Sequence, residues 1–162
     1  MASWHASVMV DEVLDALKPV SDGFYLDCTV GDGGHTLAIM NAAPGTQVLA
    51  MDLDSDSLKR SRKNLNDYLN RVTIIQGNFS DVANIVRRNG ISGFDGVLFD
   101  LGISSMQVED SARGFSFRWE ARMDMRFDRS AKVTAYEVVN KYPERELADI
   151  IYRFGEEKKA YR

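Results

Sequence analysis

Three glycines, Gly31, Gly33 and Gly34, form a tight turn directly after a short apolar segment that ends at Asp27. An apolar helical pattern follows the turn. A strand, a glycine turn and a helix start together form the arrangement that cradles nucleotide-like ligands. Glycine suits such a turn because a side chain would keep the ligand away from the backbone. We therefore expect the three glycines to lie at a cofactor site.

A second candidate for this site is Asp52, which closes the next apolar segment. It follows Gly31 at about the 20-residue spacing expected of a carboxylate that binds ribose hydroxyls. A carboxylate suits a diol because it can accept both hydrogen bonds. The alternative is that Asp52 only caps the helix that begins near Ser55.

Two classes of cofactor compete for a glycine turn of this kind. A nicotinamide dinucleotide would require a small residue where the chain has Thr36, and Asp32 in the turn would repel its pyrophosphate. S-adenosylmethionine has no phosphate and carries a cationic amino group and a sulfonium, which suit the carboxylates of Asp27, Asp32 and Asp100. The residues therefore favour methyl transfer and leave hydride transfer as the alternative.

Alternating apolar patterns predict the elements that position these residues. Pro19 is expected to end the first helix, and Ser80 to cap the fourth. Such alternation is typical of an α/β fold, in which a parallel sheet carries helices on both faces. The predicted helices are 8–17, 36–41, 55–69 and 81–88, and the predicted strands are 23–27, 47–51, 72–75 and 94–99.

The pattern changes after Asp100. Residues 101–132 are rich in Gly, Ser, Arg and aromatic residues without a clear period, and a stretch of this length is usually functional. Helical spacing returns at 134–139 and 144–152. The fourth strand has no later strand to pair with, and an exposed apolar edge is a liability. We therefore expect the chain to be a piece of a longer protein.

Composition sets the broad class of the chain. Its 162 residues, with 44% hydrophobic and 27% charged, are typical of one globular domain or of one domain with part of another. Cys28 is the single cysteine, so no internal disulfide is expected, and no Cys/His spacing indicates a metal site. No apolar run suits a membrane span or a signal peptide. These features predict a cytoplasmic protein.

Charge is unevenly distributed around the net value of −4. Acidic residues outnumber basic ones in 1–112, and basic residues outnumber acidic ones in 113–162. Aromatic residues alternate with cations in the second part, which is typical of a surface that contacts phosphates and stacks on bases. The alternative is ordinary surface variation. The candidate RNA-binding residues are Arg113, Phe115, Phe117, Arg118 and Arg126.

Several motifs resemble one family. Two are highly specific, Asp-Leu-Gly-x-Ser-Ser-x-Gln at 100–107 and Arg-Gly-Phe-Ser-Phe at 113–117. Together with Asp-x-Thr-x-Gly-x-Gly-Gly-His-Thr at 27–36, they identify the chain as similar to the bacterial MraW-type family. That family methylates the N4 amino group of a cytidine in small-subunit ribosomal RNA. The resemblance covers nearly the whole chain.

The resemblance implies a Rossmann-like class I S-adenosylmethionine-dependent methyltransferase fold, interrupted by a helical insertion. Residues 1–108 would be the first part of the methyltransferase domain, and 109–162 the start of the inserted substrate-recognition domain. The implied partner is small-subunit ribosomal RNA or the assembling subunit. The sequence is compatible with a homodimer. The cofactor contacts that carry over are Gly33, Gly34, His35, Asp52, Phe79, Asp100 and Gln107.

The reaction requires a hydrogen-bond acceptor for the N4 amino group, because its lone pair is delocalised into the ring. Asp100 is our first candidate, and His5 and Ser105 are further ones. Each has a second interpretation: Asp100 only binds cofactor, His5 is structural and Ser105 belongs to a helix cap. His35 is expected to contact the cofactor or to orient the turn.

Two other roles stay open at this point. Phe79 either packs on the adenine or lies in the core. The aromatic cluster from Phe115 to Trp119 either stacks on RNA bases or anchors the insertion. The second hypothesis for the chain as a whole is a noncatalytic piece that at most binds S-adenosylmethionine or assembles with another chain.

Overall fold

The computed structural model describes residues 7–161, which form two compact units that divide between Gly102 and Ile103. The first unit contains a four-stranded sheet in the order β3-β2-β1-β4. Its elements are α1 (Val10–Leu17), β1 (Phe24–Asp27), α2 (Gly34–Ala42), β2 (Gln47–Asp52), α3 (Ser55–Asn64), β3 (Val72–Gln76), α4 (Val82–Arg88) and β4 (Gly96–Leu98).

All strand pairs in the sheet are parallel, which confirms the predicted α/β class. Strand β1 lies in the middle, with β2 on one side and β4 on the other. The chain adds β2 and β3 on one side of β1 and then places β4 on the other side. The strand order therefore reverses between β1 and β4. Ligands of doubly wound folds bind beyond the carboxyl ends of the strands at such a switch point.

Alternate residues of β1 enter two apolar clusters, because successive side chains of a strand point to opposite faces. Tyr25 joins a cluster that includes Ile39 of α2 and Leu58 of α3. Leu26 joins a second cluster, against which Val82 of α4 packs. Helices thus cover both faces of the sheet, as the alternation of the sequence predicts.

Two predicted boundaries are wrong. Helix α3 ends at Asn64 instead of continuing to residue 69, since the buried Leu65 begins a 3₁₀ turn over Asn66–Tyr68. Ser80 is not a cap, because it lies inside a second 3₁₀ turn. The side chain of Asn78 accepts the N–H of Ser80 at 2.9 Å, and α4 begins only at Val82.

The second unit is helical. It contains α5 (Ser105–Glu109), α6 (Ala135–Lys141) and α7 (Glu144–Gly155). The last two agree with the predicted helical segments. Both α5 and α6 begin with a capping box, in which the cap side chain and the side chain three residues later satisfy each other's backbone N–H.

Charged side chains hold the segment between α5 and α6. The guanidinium of Arg113 is buried, and its Nη2 donates to the carbonyl of Arg126 at 2.8 Å. The carbonyl of Arg113 accepts the N–H of Met125 at 2.8 Å. Arg126 in turn donates from Nε and Nη2 to the carboxylate of Asp124. The stretch without a period is therefore ordered by polar contacts that hydrophobic patterning does not reveal.

Within residues 7–161, no helix is both long and apolar enough to cross a membrane.

Candidate active site

The glycine turn joins β1 to α2, and its residues differ in what surrounds them. Gly33 has φ of +95°, a conformation that side chains rarely adopt, and a Cβ there would meet Leu65 at 3.0 Å. A Cβ on Gly34 would overlap the side chain of Ser7. Of residues 7–161, a Cβ on Gly31 would meet only the carbonyl of Thr29, at 3.8 Å. Gly33 and Gly34 are thus required by packing, whereas Gly31 faces open space that a ligand can fill.

The carboxylate of Asp52 lies directly beside this turn. Its Oδ2 accepts the backbone N–H of Gly31 at 2.9 Å, and its Oδ1 accepts that of Asp54 at 2.9 Å. Asp54 is the residue that caps α3, through the N–H of Asp56. The alternative that Asp52 caps this helix is therefore wrong. Burial raises the pKa of Asp52.

Asp27 and Asp32 have structural partners. Asp27 is buried, and it accepts hydrogen bonds from Oγ1 of Thr36 at 2.7 Å and from the N–H of Thr29 at 3.0 Å. Burial raises its pKa. Asp32 accepts a hydrogen bond from Nε of Arg60 at 2.6 Å. Both carboxylates are thus less available to a cationic cofactor than the sequence predicts. Asp27 is inside the fold, and Asp32 is ion-paired with Arg60.

Asp100 follows β4 at the other side of the switch point. Its backbone N–H donates to Oγ1 of Thr29 at 2.8 Å, which connects the end of β4 to the end of β1. Its side chain is 48% exposed. Three carboxylates were expected to attract a cationic ligand. Of these, Asp100 is the one that such a ligand can reach. The positioning role of Thr29 was missed by sequence reasoning.

His35 lies in the first turn of α2 with its ring buried. Its Nε2 is 2.8 Å from the carbonyl oxygen of Val8, and its Nδ1 is 3.8 Å from Oδ2 of Asp100. A carbonyl oxygen can only accept a hydrogen bond, so Nε2 carries a hydrogen. The ring joins the chain before α1 to the end of β4.

A cleft of about 270 Å³ adjoins His35 and Asp100. Residues of α1 and the end of β4 complete its lining, among them Glu12, Val13 and Phe99. Most of these side chains are apolar, and Glu12, His35 and Asp100 are the polar groups of the lining.

Phe79 follows β3 and is 40% exposed, which disagrees with a plain core role. Its ring meets the ring of Phe99 edge to face, with centroids 5.5 Å apart and an interplanar angle of 89°. Both rings lie just beyond strand ends, and both are partly exposed to solvent.

The predicted site residues divide between the two units. Seven of them lie at or beyond the carboxyl ends of strands in the first unit: Asp52 is the last residue of β2, and Gly31, Gly33, Gly34, His35, Phe79 and Asp100 follow strands. Ser105 and Gln107 belong to α5 in the second unit, where Ser104 and the buried Gln107 form the capping box. His5 lies outside the described residues.

The RNA-binding candidates also divide, by exposure. Arg113 is buried, Arg126 is ion-paired with Asp124, and Phe115 packs on Phe127 with ring centroids 5.5 Å apart. These three hold the second unit together. Phe117 is fully exposed and Arg118 is exposed, whereas Phe115 and Arg126 are half-buried, so the first two candidates are the most accessible to a ligand.

Comparisons with known proteins agree with this architecture. The MraW methylase family matches residues 2–162. The ribosomal RNA small subunit methyltransferase H of Brevibacillus brevis is 42% identical over 155 residues, which are 95% of this chain and 49% of that protein. The protein of the same name from Sorangium cellulosum is 45% identical over 158 residues, 98% of this chain and 50% of that protein. The chain thus spans about half the length of these curated relatives.

Among solved structures, the C-terminal domain of precorrin-6Y C5,15-methyltransferase from Rhodobacter capsulatus matches with a TM-score of 0.51. The identity is 19%, over 65% of this chain and 55% of that chain, so the likeness concerns the fold alone. The predicted Rossmann-like fold of S-adenosylmethionine-dependent methyltransferases is confirmed, as is S-adenosylmethionine as the cofactor of this class. The match over almost the entire sequence, together with these relatives, means that the chain belongs to the MraW methylase family.

Proposed function

We propose that this chain carries the cofactor site and the reacting carboxylate of a methyltransferase that modifies the N4 amino group of a cytidine in small-subunit ribosomal RNA. The observation that carries the proposal is the switch point itself. On one side of it Gly31 faces open space beside the Asp52 carboxylate, and on the other side stands the exposed Asp100.

S-adenosylmethionine fits the groups at this switch point. Oδ2 of Asp52 accepts the N–H of Gly31 and Oδ1 accepts that of Asp54, and a carboxylate, with about four acceptor positions, can also accept hydrogen bonds from ribose hydroxyls. The open space at Gly31 admits the ligand close to the backbone. The exposed face of Phe79 suits the adenine. The turn residues Gly33, Gly34 and His35 shape the pocket, and family resemblance adds Gln107.

Asp100 is the group that we assign to the chemistry. S-adenosylmethionine supplies an activated methyl group, so the protein has to align the amine with that group and to accept a proton. A carboxylate that accepts an N4 hydrogen bond makes the nitrogen more nucleophilic. Asp100 is exposed, and the Thr29 hydroxyl holds its backbone at the end of β4. Ser105 and His5 are secondary candidates by sequence.

Recognition of RNA is assigned to the second unit. We propose residues 1–108 as the first part of the methyltransferase domain and 109–162 as the start of the substrate-recognition domain. The exposed Phe117, Arg118 and Trp119 form an aromatic and cationic surface. Aromatic rings stack on unpaired bases and cations contact phosphates, which suits ribosomal RNA. A substrate of this kind would make the protein cytoplasmic.

Two measurements on the unaltered chain test the function. Calorimetric titration with S-adenosylmethionine measures cofactor binding, and a methyl-transfer assay on immature small subunits, followed by nucleoside analysis, measures the product. We expect binding and N4-methylcytidine formation, with Asp100→Asn losing far more of the transfer rate than of the cofactor affinity. Binding without any transfer by the unaltered chain would support the noncatalytic alternative. Methylation at another atom would contradict the assignment of N4.

A further inference from the structure

We infer that His35 is a positioning residue that takes a proton from Asp100 through Nδ1, so that Asp100 and His35 form a two-residue proton relay at the end of β4. The inference rests on the proposed function for the identity of the proton donor. It rests on the geometry of the described residues for the relay itself.

The carbonyl of Val8 determines which ring nitrogen is available. It lies 2.8 Å from Nε2 and can only accept, so Nε2 keeps its hydrogen. In the neutral ring the lone pair is therefore on Nδ1. That atom is 3.8 Å from Oδ2 of Asp100. The backbone just before α1 thus fixes a tautomer whose basic nitrogen faces the reacting carboxylate.

The distance of 3.8 Å is longer than a hydrogen bond, and the two side chains differ in how they can shorten it. The ring is buried and held by Val8, whereas the Asp100 carboxylate is half exposed. A rotation of the Asp100 side chain brings Oδ2 to Nδ1 once a shared proton attracts both groups. Catalytic hydrogen bonds are often long before the substrate is bound.

Other charged groups near the ring do not replace Asp100. Asp27 of β1 acts on His35 through its charge, but both of its oxygens accept hydrogen bonds from Thr29 and Thr36. Glu12 of α1 lines the same cleft as His35. Among the described residues, Asp100 is the acidic group that lies within ion-pair distance of the His35 ring.

The relay balances the proposed reaction. N4 donates its lone pair to the methyl carbon, sulfur keeps the electron pair of the broken C–S bond, and one N4 hydrogen leaves as a proton. Asp100 accepts that proton and transfers it from Oδ2 to Nδ1 of His35. Asp100 is then a carboxylate again and His35 an imidazolium. The imidazolium returns to the neutral ring by releasing the proton to water in the cleft.

The tautomer can be observed directly by nitrogen NMR of the ¹⁵N-histidine-labelled chain. The sequence has two histidines, so comparison with His35→Gln assigns the ring. We expect the neutral ring to carry its hydrogen on Nε2 and the Nδ1 resonance to shift in Asp100→Asn. Glu12→Gln is the matched control and leaves the tautomer unchanged. A hydrogen on Nδ1, or an Nδ1 resonance that Asp100→Asn does not move, would overturn the relay.

Kinetics separate the relay from a role in cofactor binding. Glutamine at position 35 keeps an N–H donor for Val8 but has no basic nitrogen. We expect His35→Gln to lower kcat about tenfold or more, while the KM for S-adenosylmethionine changes far less. An effect confined to that KM would overturn the relay. If the unaltered chain transfers no methyl group, the proposed function fails, and the ring spectrum still decides whether Asp100 and His35 are coupled.

Discussion

The backbone N–H of Gly31 donates a 2.9 Å hydrogen bond to Oδ2 of Asp52, joining the turn after β1 to the end of β2. The two residues are 21 positions apart in the chain. The same spacing predicts that Asp52 binds the ribose. In the structure, the two residues that define it are in direct contact. The hydrogen bond holds the carboxylate at the open side of the turn, where its remaining lone pairs can receive a ligand.

Replacement of this carboxylate should weaken cofactor binding. An amide in Asp52→Asn has one acceptor oxygen, and it cannot serve Gly31, Asp54 and two ribose hydroxyls together. We expect affinity for S-adenosylmethionine to fall about tenfold or more, since a hydrogen bond to a charged group contributes about 1.5–3 kcal/mol. Calorimetry measures the change. Asp67→Asn, at an exposed carboxylate, is the control, and equal affinities for both variants would contradict the ribose role.

The glycines of the turn should separate folding from binding. Gly31→Ala adds a Cβ in open space at φ of +52°, with a strain of about 1–2 kcal/mol. We expect this variant to remain folded and to lose cofactor affinity. Gly33→Ala should lose more stability, because its φ of +95° is less accessible and Leu65 is in the way. Urea unfolding and calorimetry on both variants measure the two effects. A fully stable Gly33→Ala would contradict this distinction.

Asp27 should give the stability of the fold a characteristic pH dependence. Burial raises its pKa above the ordinary value of 3.8, so the folded state holds the proton more tightly than the unfolded chain does. Its contribution to the free energy of unfolding is complete below pH 3.8 and is lost as pH rises through the higher folded pKa. Asp27→Asn should remove that part of the slope. Urea unfolding over a pH series checks this.

The comparison is between two slopes, because Asp52 also has a raised pKa and Asp124 has a lowered one. Asp124 contributes equally to the unaltered chain and to Asp27→Asn, whereas Asp52, whose charge also acts on Asp27, contributes a smaller difference. Identical slopes for the two proteins would show that Asp27 does not titrate as described.

The exposed aromatic surface of the second unit should contribute to RNA affinity. Phe117→Ala is expected to weaken binding of a single-stranded ribosomal RNA segment by about 1–3 kcal/mol, the contribution of one stacked base. Phe154→Ala is the matched control, since this ring is also strongly exposed in the same unit. Fluorescence anisotropy measures both. Equal losses would point to general apolar contact instead of a defined stacking position.

Arg113→Ala should act on folding. The buried guanidinium donates to the carbonyl of Arg126, and its removal leaves that acceptor without this donor. We expect a loss of about 1–3 kcal/mol in the stability of the second unit. Circular dichroism of the helical signal during urea unfolding measures this loss. Arg118→Ala, at an exposed cation, should leave stability unchanged and lower RNA affinity.

The local sequence pattern predicted those features of the fold that are determined by residues close together in the chain. The alternation of apolar segments located all four strands, and strand ends located Asp52 and Asp100. Contacts between distant residues were outside its reach. Arg60 pairs with Asp32 across 28 positions, and no periodicity indicates that partner. The two 3₁₀ turns were missed for different reasons. The turn at Asn66 follows the buried Leu65, where helix α3 has already ended, and the turn at Phe79 begins at the side chain of Asn78, which delays the start of α4.

The buried guanidinium of Arg113 has a calorimetric consequence. The heat capacity of unfolding rises with the apolar surface that unfolding exposes and falls with the polar surface. Among the described residues of the second unit the buried ones are Gln107, Arg113 and Ala148, so unfolding exposes proportionally more polar surface than in a unit packed around leucine. The stability of the second unit should therefore vary little with temperature, whereas the sheet, with its two apolar clusters, should show the stronger curvature.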